Sequence, residues 1–195
     1  MRCINFPAKI EEVIKKSRFL GFIYPCFSEN EAHAYLHDLR DAHSGANHIV
    51  FAYRIRTDQA LVCRFYDAGE PSGTAGKPIY QYIEGNDLIN VLVVVVRYFG
   101  GIKLGAGGLT RAYGNAAKQV IEVADITEFI ELASVHFTLD YKDLQHFEYQ
   151  LAKCSGVIIS KDFAGQVNLV VQLPVVNSAS LLALFPGQIL SSISD

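Results

Sequence analysis

Cysteine is scarce in this chain and carries no metal-site pattern. Cys3, Cys26, Cys63 and Cys154 are scattered over 195 residues without a CxxC pair. That excludes a zinc ribbon and a dense disulfide framework, and makes reduced thiols in a cytoplasmic setting the expectation. Long apolar runs are missing as well. The longest, Val91 to Val96, is far short of the ~20 residues that span a bilayer, so no membrane partner is expected. The N-terminal stretch carries Lys9, Glu11, Glu12, Lys15 and Lys16 without an apolar core or a small-residue cleavage site, and does not read as a signal peptide. There is no repeat and no low-complexity tract.

An excess of positive charge is also lacking. The net charge is −3, so the whole molecule is not a basic nucleic-acid binder. Residues 1–128 hold 14 Lys+Arg and 14 Asp+Glu, whereas residues 129–195 hold 3 and 6. A polyanion contact therefore belongs to a local patch in the first part. Half of the residues are apolar and 19% are charged, the composition of a well-packed globular chain.

The most informative segment runs from Val93 to Arg111. A β-branched apolar run suits a strand buried on both faces. It breaks into a loop holding Gly100, Gly101, Gly105, Gly107 and Gly108, and a helical pattern follows from Leu109 to about Val123. Glycines let a backbone approach another molecule closely, and a helix N-terminus offers unpaired N–H groups and partial positive charge. With Arg97, Lys103 and Arg111 around it, and Thr110 in the first helical turn, this segment is a candidate phosphate or carboxylate site. Such loops also serve only to turn the chain and let a helix pack on a sheet. Tyr98 and Phe99 interleave aromatic rings with these cations, a pattern that serves base stacking beside phosphates and equally serves core packing at a strand end.

A second polar loop, Asp67 to Pro78, sets Asp67, Glu70, Ser72, Thr74 and Lys77 among three glycines and two prolines. It is not a Walker A loop, because Pro78 follows Gly76-Lys77. Asp67 and Glu70 are of a type that binds a hard cation or acts as general base. The competing reading is an Asx turn that caps the next helix. No nucleophile–base pair is legible, so no catalytic residue, metal ligand or cofactor is assigned. His33 and His37 have metal-ligand spacing but lie off the apolar stripe of their helix and outside any HExxH motif; they read as solvated. His43 and His48, with Asp41, are of ligand type, but the two histidines read as structural or solvated, and Cys63 reads as a small apolar strand residue.

The rest of the chain supplies an α+β framework. Strands are expected at Arg18–Tyr24, His48–Arg56, Leu61–Tyr66 and Asn90–Phe99, with a turn at Thr57-Asp58-Gln59. A helix from Glu29 to Ala42 starts at the capping box Ser28-Glu29-Asn30-Glu31 and buries Ala32, Tyr35, Leu36 and Leu39. A short helix is expected at Pro78–Ile83. From residue 129 onward the pattern changes. A strand at Ala133–Tyr141, a helix from the cap Asp143 to Cys154 closed by Gly156, strands at Val157–Phe163 and Val167–Leu173, a helix from the cap Asn177 to Leu184, and a strand at Gln188–Ile193 give the order βαββαβ. That is the ferredoxin-like arrangement, and domains 1–128 and 129–195 are expected.

The segments Asp67–Pro78 and Val95–Tyr113, with Lys16-Ser17-Arg18-Phe19 and the strand His48–Arg56, resemble the hallmark stretches of the YigZ/IMPACT family over most of residues 10–120. The resemblance implies a first domain of the ribosomal-protein-like βαβ fold, related to the second domain of a small-subunit ribosomal protein. It implies a small second domain similar to a C-terminal domain of elongation factor G. Eukaryotic members regulate translation by opposing a stress kinase, partly through an N-terminal accessory domain of another kind. A proline-dipeptidase label attached to some bacterial members finds little support in these motifs. One departure is Ala68, where an acidic residue is common in the family; it weakens a paired-carboxylate metal site. The function expected is a non-enzymatic, translation-associated regulator that binds RNA, the ribosome or a translation factor. The alternatives are a hydrolase-type enzyme or binder acting on a phosphorylated or carboxylated small molecule, and a pure protein–protein module. Neither the partner nor the oligomeric state is legible.

Overall fold

The computed structural model describes residues 1–57, 59–185 and 189–193, the last five as backbone alone. Asp58, in the expected turn, and Gln188, at the start of the expected last strand, lie outside the described residues. The chain divides into two compact units, Met1–Phe129 and Ile130–Asp195.

The first unit runs β1 (Arg2–Ile4), β2 (Ala8–Ile14), β3 (Ser17–Pro25), α1 (Glu29–Ala42), β4 (His48–Arg56), β5 (Leu61–Tyr66), α2 (Gly76–Gly85), β6 (Val91–Tyr98), α3 (Ala106–Glu122) and β7 (Ile126–Glu128). Five strands form one sheet in the order β2-β3-β6-β4-β5, and each described neighbour pair is antiparallel. Since β3 and β4 both run against β6, they are parallel to each other. The segment β3-α1-β4 is thus a βαβ unit split by β6. A short ribbon joins β1 to β7.

The valine run explains the layering. Side chains alternate along a strand, so Val91, Val93 and Val95 face a core with Ile79, Ile83, Tyr113, Ala116 and Val120 of α2 and α3. Leu92, Val94 and Val96 face Ala32, Leu36 and Leu39 of α1. A strand covered on both sides needs no polar alternation, which is why β6 reads as one apolar stripe. Helix α1 has the bounds its capping box predicts: the Glu31 N–H donates to Ser28 Oγ at 3.2 Å, and the Phe27 N–H donates to the Glu31 carboxylate at 2.8 Å.

Strand β2 was not expected, and Glu12 is the reason. Ala8, Ile10 and Ile14 pack toward the α3 core, but the inward position between Ile10 and Ile14 is acidic. Glu12 Oε2 accepts from Gln119 Nε2 at 3.0 Å, while Oε1 is buried without a partner. Desolvation raises the Glu12 pKa, outweighing that hydrogen bond. A carboxyl whose folded pKa is raised contributes stability below its unfolded pKa and loses it as pH rises through the folded value. Glu12→Gln is therefore expected to raise the melting temperature at pH 7 by about 1–3 °C, a modest gain for a partly solvated group, and to leave it unchanged near pH 4. Thermal melts at the two pH values check this; an equal shift at both would reject the charge argument.

The second unit runs β8 (Leu132–Leu139), a 3-10 turn at Tyr141–Asp143, α4 (Leu144–Lys153), β9 (Val157–Phe163), β10 (Val167–Pro174), α5 (Val175–Leu184) and β11 (Ile189–Ile193). Its sheet has the antiparallel order β11-β8-β10-β9, the ferredoxin-like topology. Phe137, Phe147, Leu151, Leu169, Val171 and Leu181 fill its core. Two expected caps are corrected. Asp143 makes no side-chain cap hydrogen bond. Helix α5 starts two residues before Asn177, whose amide instead donates to the Cys154 carbonyl at 3.0 Å. The turn after α4 places Ser155, not Gly156, in the left-handed region, at φ 57°.

Among the described residues, no helix is long and apolar enough to cross a membrane.

Candidate functional site

The antiparallel registers bring four segments of the first unit to one end of the sheet: the β2–β3 turn, the start of β4, the loop after β5 and the loop after β6. The two glycine-bearing loops read from the sequence are therefore neighbours, and they are tied together.

The tie is Glu70. Its side chain is 5% exposed and pairs with Arg97, whose Nη1 donates to Glu70 Oε1. The Tyr113 hydroxyl donates to the same oxygen at 2.8 Å. His48 Nε2 stands 3.7 Å from it, while His48 Nδ1 meets the Ala68 carbonyl at 2.9 Å. A carbonyl only accepts, so Nδ1 carries the proton. The Arg97 guanidinium lies between the rings of Phe19 and Phe99, at 5.4 and 5.5 Å. Burial and the Glu70 charge push the Tyr113 phenol far above its ordinary pKa, so it remains a donor.

This corrects the expectation that Arg97 lends a free positive charge to the glycine loop. Arg97 is 4% exposed, and its charge is engaged by Glu70. The signal lay in the parity of the strand: Arg97 shares the face of Val91, Val93 and Val95, which the helices cover. Tyr98, of opposite parity, points to the α1 side and bonds His43 Nδ1 through its hydroxyl at 2.9 Å. Of the two aromatic residues at this strand end, Phe99 is the exposed one.

Asp67 organises the second loop. Its carboxylate accepts from the backbone N–H groups of Gly73, Ala75 and Gly76 at 2.8, 3.1 and 2.8 Å. It thus occupies the N-terminus of α2, the capping role weighed above. Thr74 is buried and donates to the Pro71 carbonyl at 2.6 Å. Ser72 and Lys77 are exposed. With both Asp67 oxygens and Glu70 Oε1 engaged, neither carboxylate is placed as a free base. Among the described residues no cluster of three His, Cys, Asp or Glu side chains could hold a metal ion.

The first loop is built differently. Helix α3 starts at Ala106, three residues before the expected Leu109, so Gly107 and Gly108 lie inside its first turn. A turn of Ala-Gly-Gly reads as loop because glycine has poor helix propensity. The N-cap is Gly105, at φ 72°, which has no side chain to accept from the first N–H groups, and no acidic residue lies in the first turn. Thr110 Oγ1 donates back to the Ala106 carbonyl at 3.1 Å. Lys103 and Arg111 are exposed, and a Cβ on Gly107 would meet Arg111 Nη1 at 3.9 Å, so the guanidinium reaches back over the open turn.

The β2–β3 turn adds cations that charge counting alone did not place here. Lys15 and Lys16 occupy it at φ 46° and 66°, where asparagine and glycine are the usual residues. Gly100 packs so closely on it that a Cβ would lie 2.0 Å from the Lys16 carbonyl carbon. The Gly100 N–H donates to Ser17 Oγ at 3.1 Å, and the Phe99 N–H to Asn47 Oδ1 at 2.7 Å. Gly100 is thus spent on packing, while Gly101, at φ 84°, faces open space.

Known proteins resemble the chain over this site and beyond it. The model of the Impact N-terminal domain family matches residues 15–121. IMPACT family member YigZ of Escherichia coli K12 is 35% identical over 178 residues, 91% of this chain and 87% of that protein. An IMPACT family member of Thermus thermophilus is 42% identical over 132 residues, 68% of this chain and 70% of that protein. A solved structure described as that of a hypothetical protein covers all of this chain and 96% of its own, with a TM-score of 0.68 at 32% identity.

Proposed function

The chain belongs to the IMPACT family, and we propose that it is a non-enzymatic, translation-associated regulator that binds RNA phosphate in the cytoplasm through the open start of α3. The observation that carries this reading is the contrast between two helix starts at one end of one sheet. The N-terminus of α2 is filled by the Asp67 carboxylate. That of α3 has a glycine cap, no acidic neighbour in its first turn and exposed Lys103 and Arg111 beside it. Lys16, whose backbone packs against Gly100 and whose side chain is exposed, adds a further positive charge to this end of the sheet. Backbone donors with the positive helix end favour an anion, and exposed Phe99 offers a ring to an unpaired base. The translation setting is what the family resemblance implies. The enzyme alternative loses support because Asp67 and Glu70 are engaged in holding the loops.

The test is RNA binding by the full chain as a function of salt, beside a Lys16→Ala/Lys103→Ala/Arg111→Ala variant. For a single strand, each lost phosphate contact lowers the slope of log K against log salt by about 0.7, so the variant should lose about 2 units of slope and at least about tenfold in affinity at low salt. All three side chains are exposed, and the melting temperature should not move. Unchanged affinity and slope would reject the site. Stabilisation by millimolar nucleotide with a divalent metal, without RNA binding, would favour the small-molecule reading.

A further inference from the structure

On the opposite side of the same sheet, Ala32, Leu36 and Leu39 of α1 pack with β4 and β6, whereas β2 lies at the sheet edge two strands away from β6. Helix α1 ends at Ala42, with His43 as its C-cap. Beyond that end lies a cavity of about 300 Å³ lined by Lys9, Ile10, Glu11, Leu20, Phe22 and His43. Leu20 and Phe22 of β3 form an apolar floor, only partly buried. The His43 ring closes one side, 5.7 Å from the Phe22 ring, with Nδ1 held by the Tyr98 hydroxyl. Lys9 and Glu11 stand on the other side, and exposed Val13 continues their face of β2.

Two further features say what fits here. Strand β2 ends the sheet, so its outer edge has no strand partner among the described residues. Such an edge is a row of unpaired N–H and C=O groups that templates another strand. The charges on the face are also unbalanced. Glu11 is neutralised by Arg18, whose Nε donates to it at 2.8 Å, whereas Lys9 has no ion-pair partner among the described residues. The cavity therefore presents an apolar floor under one uncompensated positive charge. We propose that this edge and cavity receive an extended segment of a partner protein, paired along β2, with a long apolar side chain reaching inward across β2 toward Leu20 and Phe22 and an acidic side chain on Lys9. Alternate residues of an added strand share a face, so the motif recognised is apolar-x-acidic. Main-chain pairing supplies affinity in this mode, and the pocket supplies specificity.

The probe is the peptide acetyl-Thr-Phe-Thr-Glu-Thr-Val-amide, titrated into the isotope-labelled full chain while backbone amide shifts are followed. Shifts confined to residues 8–14, 18–24 and 43 are expected. Replacing the peptide's Glu with Lys should weaken binding at least about fivefold, and Lys9→Glu should reverse that preference. Lys9 is exposed, so an unchanged melting temperature verifies the fold of the variant. No shifts at millimolar peptide, or equal binding of the acidic and basic peptides by the native chain, would overturn the proposal. So would β2 shifts that follow protein concentration without peptide, since the occupant would then be a second copy of the chain.

Discussion

Glu70→Ala is expected to cost the Met1–Phe129 unit about 3–5 kcal/mol, because it leaves one partner of a buried ion pair without the other. Arg97 would keep its charge between two phenyl rings, with only 4% of its surface exposed. The Tyr113 hydroxyl would lose its acceptor as well. At about 4 °C per kcal/mol for a unit of this size, the melting transition should fall by more than about 10 °C. The pair need not be net stabilising for this to hold. A hydrophobic replacement of both partners, Glu70→Leu with Arg97→Met, should recover most of the loss, since both desolvation penalties disappear together. Tyr113→Phe should cost only about 1 kcal/mol, one hydrogen bond among several. The measurement is amide exchange under native conditions, which reads the first unit separately from Ile130–Asp195. A loss below about 1 kcal/mol for Glu70→Ala would mean that Glu70 does not hold the loops together.

Local signals made part of this legible in advance. Strands β4, β5 and β9 and helix α1 have the bounds their patterns predict, because alternation and a capping box act within a few residues. The strand β2 escaped because Glu12 sits at an inward position and interrupts the alternation. Helix α3 starts three residues before its apolar pattern does, because Gly107 and Gly108 resist helix by propensity yet are held in it by the packing of Leu109, Ala112 and Tyr113. Asn177 has the chemistry of a cap but lies inside α5, where tertiary contact with the Cys154 carbonyl uses its amide.

The candidate site was legible as two loops but not as one arrangement. Glu70 meets Arg97 across 27 residues and Tyr113 across 43, separations that no local pattern reports. What sorted the residues was direction. Arg97 points inward by strand parity and joins the framework. Lys103 and Arg111 point outward and remain available. A cation counted from sequence contributes to an anion site only if its charge is not already met. Here the same loop region contains both cases, and only the exposed set belongs in a binding test.

Gly100→Ala should be the most damaging single-methyl change in the chain's glycine loops. The added Cβ would lie 2.0 Å from the Lys16 carbonyl carbon, 2.1 Å from its oxygen and 2.4 Å from the Ser17 nitrogen. These are backbone atoms, so no rotamer change relieves the contact. Either the β2–β3 turn or the strand end of β6 must move, and either movement breaks the Gly100 N–H bond to Ser17 Oγ. A cost at or above the upper end of the roughly 1–3 kcal/mol typical of overpacking is expected. Two other glycines separate this cause from backbone strain. Gly101 has open space around it but φ 84°, so Gly101→Ala should cost about 1–2 kcal/mol through conformation alone. Gly45 has nothing within 4 Å and no positive φ, so Gly45→Ala should be near neutral. Denaturant titrations of the three variants should rank them 100, 101, 45 in order of loss. A Gly100→Ala variant as stable as Gly45→Ala would show that the turn and the loop are not in contact, and would remove the ground for including Lys16 in the proposed anion site.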